Sequence, residues 1–90
     1  MVWTIEYEEV ARRQLRKLDR QAARRIVDFL DHRLAGLEDP RALGQALHGR
    51  LKAYWRYRVG DYRIVCDLQD GQLVVLVVGL GNRREVYRRR

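Results

Sequence analysis

Cysteine and proline each occur once in this chain of 90 residues, as Cys66 and Pro40, and acidic residues are scarce in its second half. A single cysteine excludes an internal disulfide and fits a reducing compartment. The longest apolar run, LVVLVVGLG at 73–81, has nine residues, about half of what a membrane-spanning helix requires. The N-terminus shows no charged-then-apolar leader, so a secretory signal is not expected. Repeats, linkers and low-complexity segments are also lacking. These absences lead to the expectation of one soluble, cytoplasmic domain spanning residues 1–90. With 47% apolar residues the chain has the means to bury a core.

Positive charge is plentiful. The formal net charge is +7 and the isoelectric point is about 10.3, in the range of nucleic-acid-binding domains. Residues 1–49 carry nine Lys/Arg against eight Asp/Glu, whereas residues 50–90 carry ten against four. The basic excess therefore sits in the C-terminal half, while the first half mixes signs as a solvated surface does.

The periodicity changes along the chain in step with this division. VWTIEY alternates Val2/Thr4/Glu6 against Trp3/Ile5/Tyr7 and reads as a strand. From Glu8, the positions Val10, Ala11, Leu15 and Leu18 fit a short helix with an acidic start and a basic end. Asp19 suits the N-cap of a second helix, with Ala23, Ile26, Val27, Leu30, Leu34 and Leu37 as its buried stripe. Pro40 ends it by forcing Asp39 out of the helical region. Residues 41–50 read as a connector with one helical turn around Ala42 to Leu47. Three strands follow: Tyr54 to Val59, Tyr62 to Leu68 after a Gly60-Asp61 hairpin, and Leu73 to Val78 after Asp70-Gly71. Gly79 and Gly81 are expected to break the last strand. Its apolar residues suit a central position with both faces covered. The fold class is α+β, order β-α-α-β-β-β, a mostly antiparallel four-stranded sheet with two helices on one face.

Side-chain alternation then sorts the sheet residues. Trp55, Tyr57 and Val59 point one way with Tyr62, Ile64 and Cys66; Tyr54, Arg56 and Arg58 share the other side with Arg63, Val65 and Asp67. If the uncharged set faces the helices, Arg56, Arg58 and Arg63 gather on the open face, and Arg83 and Arg84 approach its rim. Guanidinium groups bind phosphate in bidentate fashion and tyrosine rings stack on unpaired bases. A nucleic-acid backbone is the anion that this face suits. Tyr62, Cys66, Trp3 and Trp55 read as packing residues, and His32 as a solvated helix residue. His48 lies in the connector near the strand that begins the site. The tail Arg88–Arg90 adds sequence-independent phosphate attraction.

The residues WRYRVGDYRIV, the short hairpin and the ending GNRREVYR resemble the RelE branch of the RelE/ParE toxin superfamily of bacterial toxin–antitoxin modules. The strand–helix–helix opening agrees, so the likeness covers the whole chain. The resemblance implies a RelE-like fold. It also implies an endoribonuclease that cuts mRNA in the A site of the 70S ribosome, with 16S rRNA contacts, without cofactor or metal. A RelB-like cognate antitoxin would neutralise it. It further implies that Arg58, Arg63, Arg83 and Tyr87 are catalytic and that Arg56, Lys52 and Arg84 bind substrate. The ribose 2′-hydroxyl would attack the adjacent phosphate, with Arg63 and Arg83 stabilising the phosphorane. Many relatives carry His where this chain has Asn82, and Asn takes up no proton near neutral pH. Tyr87 is the first candidate for proton transfer or base stacking, with Arg58 as the alternative. Two other functions stay open: a ParE-type toxin that poisons DNA gyrase, and an RNA- or ribosome-binding protein that does not cleave.

Overall fold

The structure is a computed structural model that describes residues 2–48 and 53–82. Lys52, Arg83, Arg84 and Tyr87 lie outside the described residues, as does the 88–90 tail. The described elements are β1 (Thr4–Tyr7), α1 (Glu9–Lys17), α2 (Arg20–Asp28), a π-helical turn (Phe29–Leu34) and a 3-10 turn (Pro40–Ala42). Strands β2 (Gln45–His48), β3 (Ala53–Val59), β4 (Tyr62–Gln69) and β5 (Val74–Asn82) follow. The sheet order is β1-β5-β4-β3-β2, with β1 parallel to β5 and the remaining pairs antiparallel. The α+β plan therefore holds, with five strands rather than four.

The fifth strand comes from the connector. Gln45-Ala46-Leu47-His48 has helix-forming composition, yet it pairs with β3 from Gln45↔Arg56 to His48↔Ala53. Gly44 decides the matter. Its φ of 77° is open mainly to glycine, and a Cβ there would collide with the Arg56 carbonyl oxygen and the Tyr57 ring. The left-handed residue stops any helix through 42–47 and turns the chain back against β3.

Both helices pack as the period of 3.6 dictates, with local differences. Glu9 opens α1, and Arg16 and Lys17 close it, complementing the macrodipole. Ala11 is buried, but Val10 is half exposed instead of facing the core. Asp19 occupies the N-cap position of α2 in extended conformation without a side-chain cap bond. The buried stripe runs Ala22, Ile26, Leu30, Leu34, while Ala23, Val27 and Leu37 are only partly covered. The wider π turn, closed by the Ala35 N–H donating to the Leu30 carbonyl at 3.0 Å, keeps Leu30 and Leu34 on one line.

The core lies between these helices and one face of the sheet. Trp3, Ala11, Ile26, Leu30 and Leu34 meet Tyr57, Ile64, Cys66, Val75, Val77 and Leu80. Cys66 is a fully buried core thiol, and burial pushes its pKa up, away from thiolate chemistry. Strand β5, flanked on both sides, does not end at Gly79; it runs through both glycines to Asn82. Beyond Val77, where β1 stops, Gln14 of α1 takes over as a partner: its Oε1 accepts from the Leu80 N–H at 2.8 Å. In the loop after β4 the left-handed residue is Leu73 (φ 56°), and β5 begins one residue later, at Val74.

The connector is held by side chains from three directions. Trp3 Nε1 donates to the Glu38 carbonyl (3.2 Å), Tyr57 Oη to that of Pro40 (2.8 Å) and Trp55 Nε1 to that of Leu43 (2.6 Å). Arg41 forms a bidentate pair with Asp70 at 2.9 and 2.8 Å, tying the 3-10 turn to the β4–β5 loop. Hydrogen bonding to Arg41 holds the exposed Asp70 carboxyl below its usual pKa.

Two tests follow from this architecture. Gly44→Ala is expected to destabilise the fold by at least about 1–2 kcal/mol in urea denaturation, from the left-handed penalty alone. A lowered folded-state pKa adds stability above the unfolded carboxyl pKa, near 4, that is lost as pH falls through the folded value. The stability gap between wild type and Asp70→Asn should therefore be widest above about pH 5 and close in acid. A gap that grew on acidification would contradict the pairing.

Candidate phosphate-binding face

The β3–β4 hairpin sets the position of each arginine. Gly60 (φ 60°) and Asp61 form a two-residue connection, with Val59 opposite Tyr62. The register then runs Arg58↔Arg63, Tyr57↔Ile64 and Arg56↔Val65. Directly opposed residues project to the same side of a sheet. Tyr57 and Ile64 are both buried on the helix side, so Arg58 and Arg63 lie on the open side, together with Arg56. The three expected arginines do share one face.

Their environments differ. Arg58 is exposed and Arg56 is partly covered. Arg63 is 4% exposed, the one charged side chain that is buried among the described residues. Its cross-strand partner on β5 is Gly81, which adds no side chain on that side and leaves room for the arginine. Arg63 thus forms the floor of the face and Arg58 its rim. Arg56 donates through Nη2 to Gln45 Oε1, its register partner on β2. This contact anchors the arginine to the edge strand.

Other candidates sort by position. Asp67 is the carboxylate on the same face of β4, accepting from Gln69 Nε2 at 3.2 Å. Four residues of strand separate it from Arg63, about 13 Å, too far to share a proton transfer at one phosphate. Asn82 stands opposite Tyr62, on the helix-facing side, away from Arg58 and Arg63. His32 is exposed, 3.9 Å from Asp28, as a solvated helix residue should be. Tyr62 is partly buried against the core. The pKa of Tyr7 is pushed up to about 12, chiefly by burial, with Asp31 and Cys66 adding to the effect; Tyr7 is a packing residue. No cluster of three or more His, Cys, Asp or Glu side chains suited to a metal occurs among the described residues. None of the described helices is long and apolar enough to cross a membrane.

The Arg58–Arg63 register predicts a cost to the free protein. Like charges directly across a sheet destabilise it by roughly 0.2–1 kcal/mol. Arg58→Gln should therefore stabilise the free protein by a few tenths of a kcal/mol up to about 1 kcal/mol. The gain should shrink in high salt, as chemical denaturation at two ionic strengths will show. A destabilised Arg58→Gln would mean that the arginine supports the fold.

Comparison with known proteins agrees with this architecture. The ParE toxin family of type II toxin–antitoxin systems, parDE, matches residues 5–87. Toxin RelG of Mycobacterium tuberculosis (strain ATCC 25618 / H37Rv) is 28% identical over 89 residues, covering 99% of this chain and all of RelG. Toxin RelE of the same organism is 33% identical over 78 residues, 87% of this chain and 78% of that protein. The toxin–antitoxin complex RelBE2 of M. tuberculosis contains a chain that superposes with a TM-score of 0.82 at 25% identity, covering 92% of this chain and 93% of that one. The isolated E. coli RelE toxin shares the fold, with a TM-score of 0.69 at 23% identity over 96% and 92% of the two chains. This chain belongs to the ParE toxin family and is a RelE/ParE-superfamily toxin of a type II toxin–antitoxin module.

Proposed function

We propose that this toxin is a ribosome-dependent endoribonuclease that cuts mRNA in the A site. The observation that carries this reading is the placement of Arg58 directly across from Arg63, with Arg56 on the same open face. A sheet built for stability alone gains nothing from that pairing, whereas an RNA phosphate between the two groups offsets their repulsion. The ribose 2′-oxygen attacks the adjacent phosphorus as its proton passes to water, the bond to the 5′-oxygen breaks, and that oxygen takes up a proton, leaving a cyclic phosphate and a 5′-hydroxyl. Arg58 and Arg63, joined by Arg83, stabilise the charge that builds on the phosphorane oxygens. Arg56, Lys52 and Arg84 hold the flanking backbone.

Proton transfer falls to Tyr87. A phenol is a better donor to the departing 5′-oxygen than a base for the 2′-hydroxyl. With no strong base assigned, alignment of the 2′-oxygen by the ribosome carries much of the rate, so free RNA is a poor substrate. The reaction takes place in the cytoplasm, where the ribosomes are. The antitoxin partner is of RelB type and acidic where it covers the arginine face. Its affinity accordingly falls as salt rises. The family match to ParE toxins favours one other reading, gyrase poisoning through the same fold without RNA chemistry.

Primer extension on a ribosome-programmed mRNA tests the proposal. Antitoxin-free wild type should give cuts within the A-site codon. Arg58→Ala, Arg63→Ala and Arg83→Ala should each lower the rate by on the order of 10²-fold or more, and Tyr87→Phe should slow the step without weakening RNA binding. Arg58→Ala keeps the test interpretable if the buried Arg63 proves necessary for folding. Absence of cuts from folded wild type, with inhibition of gyrase supercoiling instead, would overturn the nuclease reading.

A further inference from the structure

At the outer corner of the sheet a second arginine cluster takes shape, where the helical layer meets the β2–β3 edge. Strand β2 pairs with β3 only up to Arg56, so Tyr57–Val59 extend beyond it. In that corner lies an open cleft of about 390 Å³, within the size range of small-ligand sites. Its polar lining is Arg33 from the π turn and Arg56 and Arg58 from β3, together with Gln45. Its apolar lining is Phe29, Leu43 and the Tyr57 ring. No Asp or Glu among the described residues lines it. Cations thus converge from two separate layers around an apolar wall.

The parts of the cleft are held in place. Tyr57 is 1% exposed, fixed by its hydroxyl on the Pro40 carbonyl and by its tilted contact with Phe29, ring centroids 5.8 Å apart. Trp55 Nε1 holds the Leu43 carbonyl, and Gly44 brings the chain close against β3. Phe29 and Arg33, four residues apart, lie on the same side of the helical turn. Phe29 is partly covered and Arg33 exposed, so both can meet a ligand.

We infer that this cleft is a nucleotide subsite for the single-stranded RNA adjoining the phosphate at Arg58 and Arg63, with Arg33 as its phosphate contact and Phe29 as its base-stacking wall. The inference rests on the RNA reading given above. Arg58 belongs to both places, so a strand leaving the open face at Arg58 enters the cleft without a gap in positive charge. Guanidinium groups suit the phosphate, and an aromatic wall suits the flat face of a base whatever its identity. An acidic peptide would satisfy the arginines but would leave the Phe29–Leu43 wall without a flat partner.

The probe is a 5′-fluorescein hexaribonucleotide with 2′-O-methyl groups throughout, which removes the attacking hydroxyl. Its binding to antitoxin-free wild type, Arg33→Ala, Arg33→Lys and Phe29→Leu is followed by anisotropy over a salt series. Arg33→Ala should weaken binding about 5- to 10-fold and lower the salt slope by about one. Arg33→Lys should restore the slope, and Phe29→Leu should weaken binding by about 5-fold or more with the slope intact. Thermal unfolding of Arg33→Ala should match wild type, since the residue is exposed. Unchanged affinity and slope in Arg33→Ala would overturn the subsite. So would wild type that binds no RNA, or a loss of affinity confined to an acidic antitoxin peptide. If wild type fails to cut on ribosomes yet binds the probe in an Arg33-dependent way, the nuclease reading falls and the subsite stands. If wild type cuts and Arg33→Ala binds and cuts as well, the subsite falls and the nuclease stands.

Discussion

Two arginines in direct register, Arg58 on β3 and Arg63 on β4, are the constraint around which the rest of the molecule is arranged. Opposition of this kind depends on register, and register here depends on a two-residue turn. Gly60 adopts positive φ and lets Val59 pair with Tyr62. A slip of one residue would send Arg63 to the helix side and Ile64 to solvent. The buried pair Tyr57–Ile64 makes that slip expensive, because each large side chain would lose its core contacts. Core packing and site geometry are therefore specified by the same alternation.

The second dependency runs through the connector. Three aromatic donors and the Arg41–Asp70 pair fix residues 38–43 against the sheet, although the segment has little regular structure of its own. Fixing it places Gly44 against β3, which starts β2, and β2 in turn supplies Gln45 to Arg56. The exposed Arg41–Asp70 pair contributes little stability in water. Its value is geometric, as a tie between a short turn and a distant loop.

The main features of the fold can be read from the residues because local and global preferences agree. The 2-residue period of β1, the stripe through Ile26, Leu30 and Leu34, the Gly60-Asp61 turn and the shared face of Arg56, Arg58 and Arg63 each follow from spacing alone. What was illegible is what tertiary contact decides. Gln45–His48 has helix-forming composition but pairs as a strand, because Gly44 needs positive φ and β3 offers an edge. Gly79 and Gly81 resemble strand breakers, yet they continue β5 opposite Val65 and Arg63. The burial of Arg63 has no signal in its neighbours, since alternation assigns a face but not a depth. Arg33 is one of several arginines on the polar side of a helix, and only the approach of the π turn to the β3 edge distinguishes it. The expectations for Lys52, Arg83, Arg84 and Tyr87 rest on family resemblance, and these residues lie outside the described ones.

The central claim is that Arg58 and Arg63 form one anion site. Its most direct measurement is an NMR titration of the arginine side-chain Nε–H resonances with a non-cleavable 2′-deoxy trinucleotide. The account predicts that the Arg58 and Arg63 signals shift together along one saturating curve, while exposed helix arginines such as Arg12 and Arg24 stay put. Shifts spread evenly over all surface arginines, or a pair that titrates independently, would contradict it.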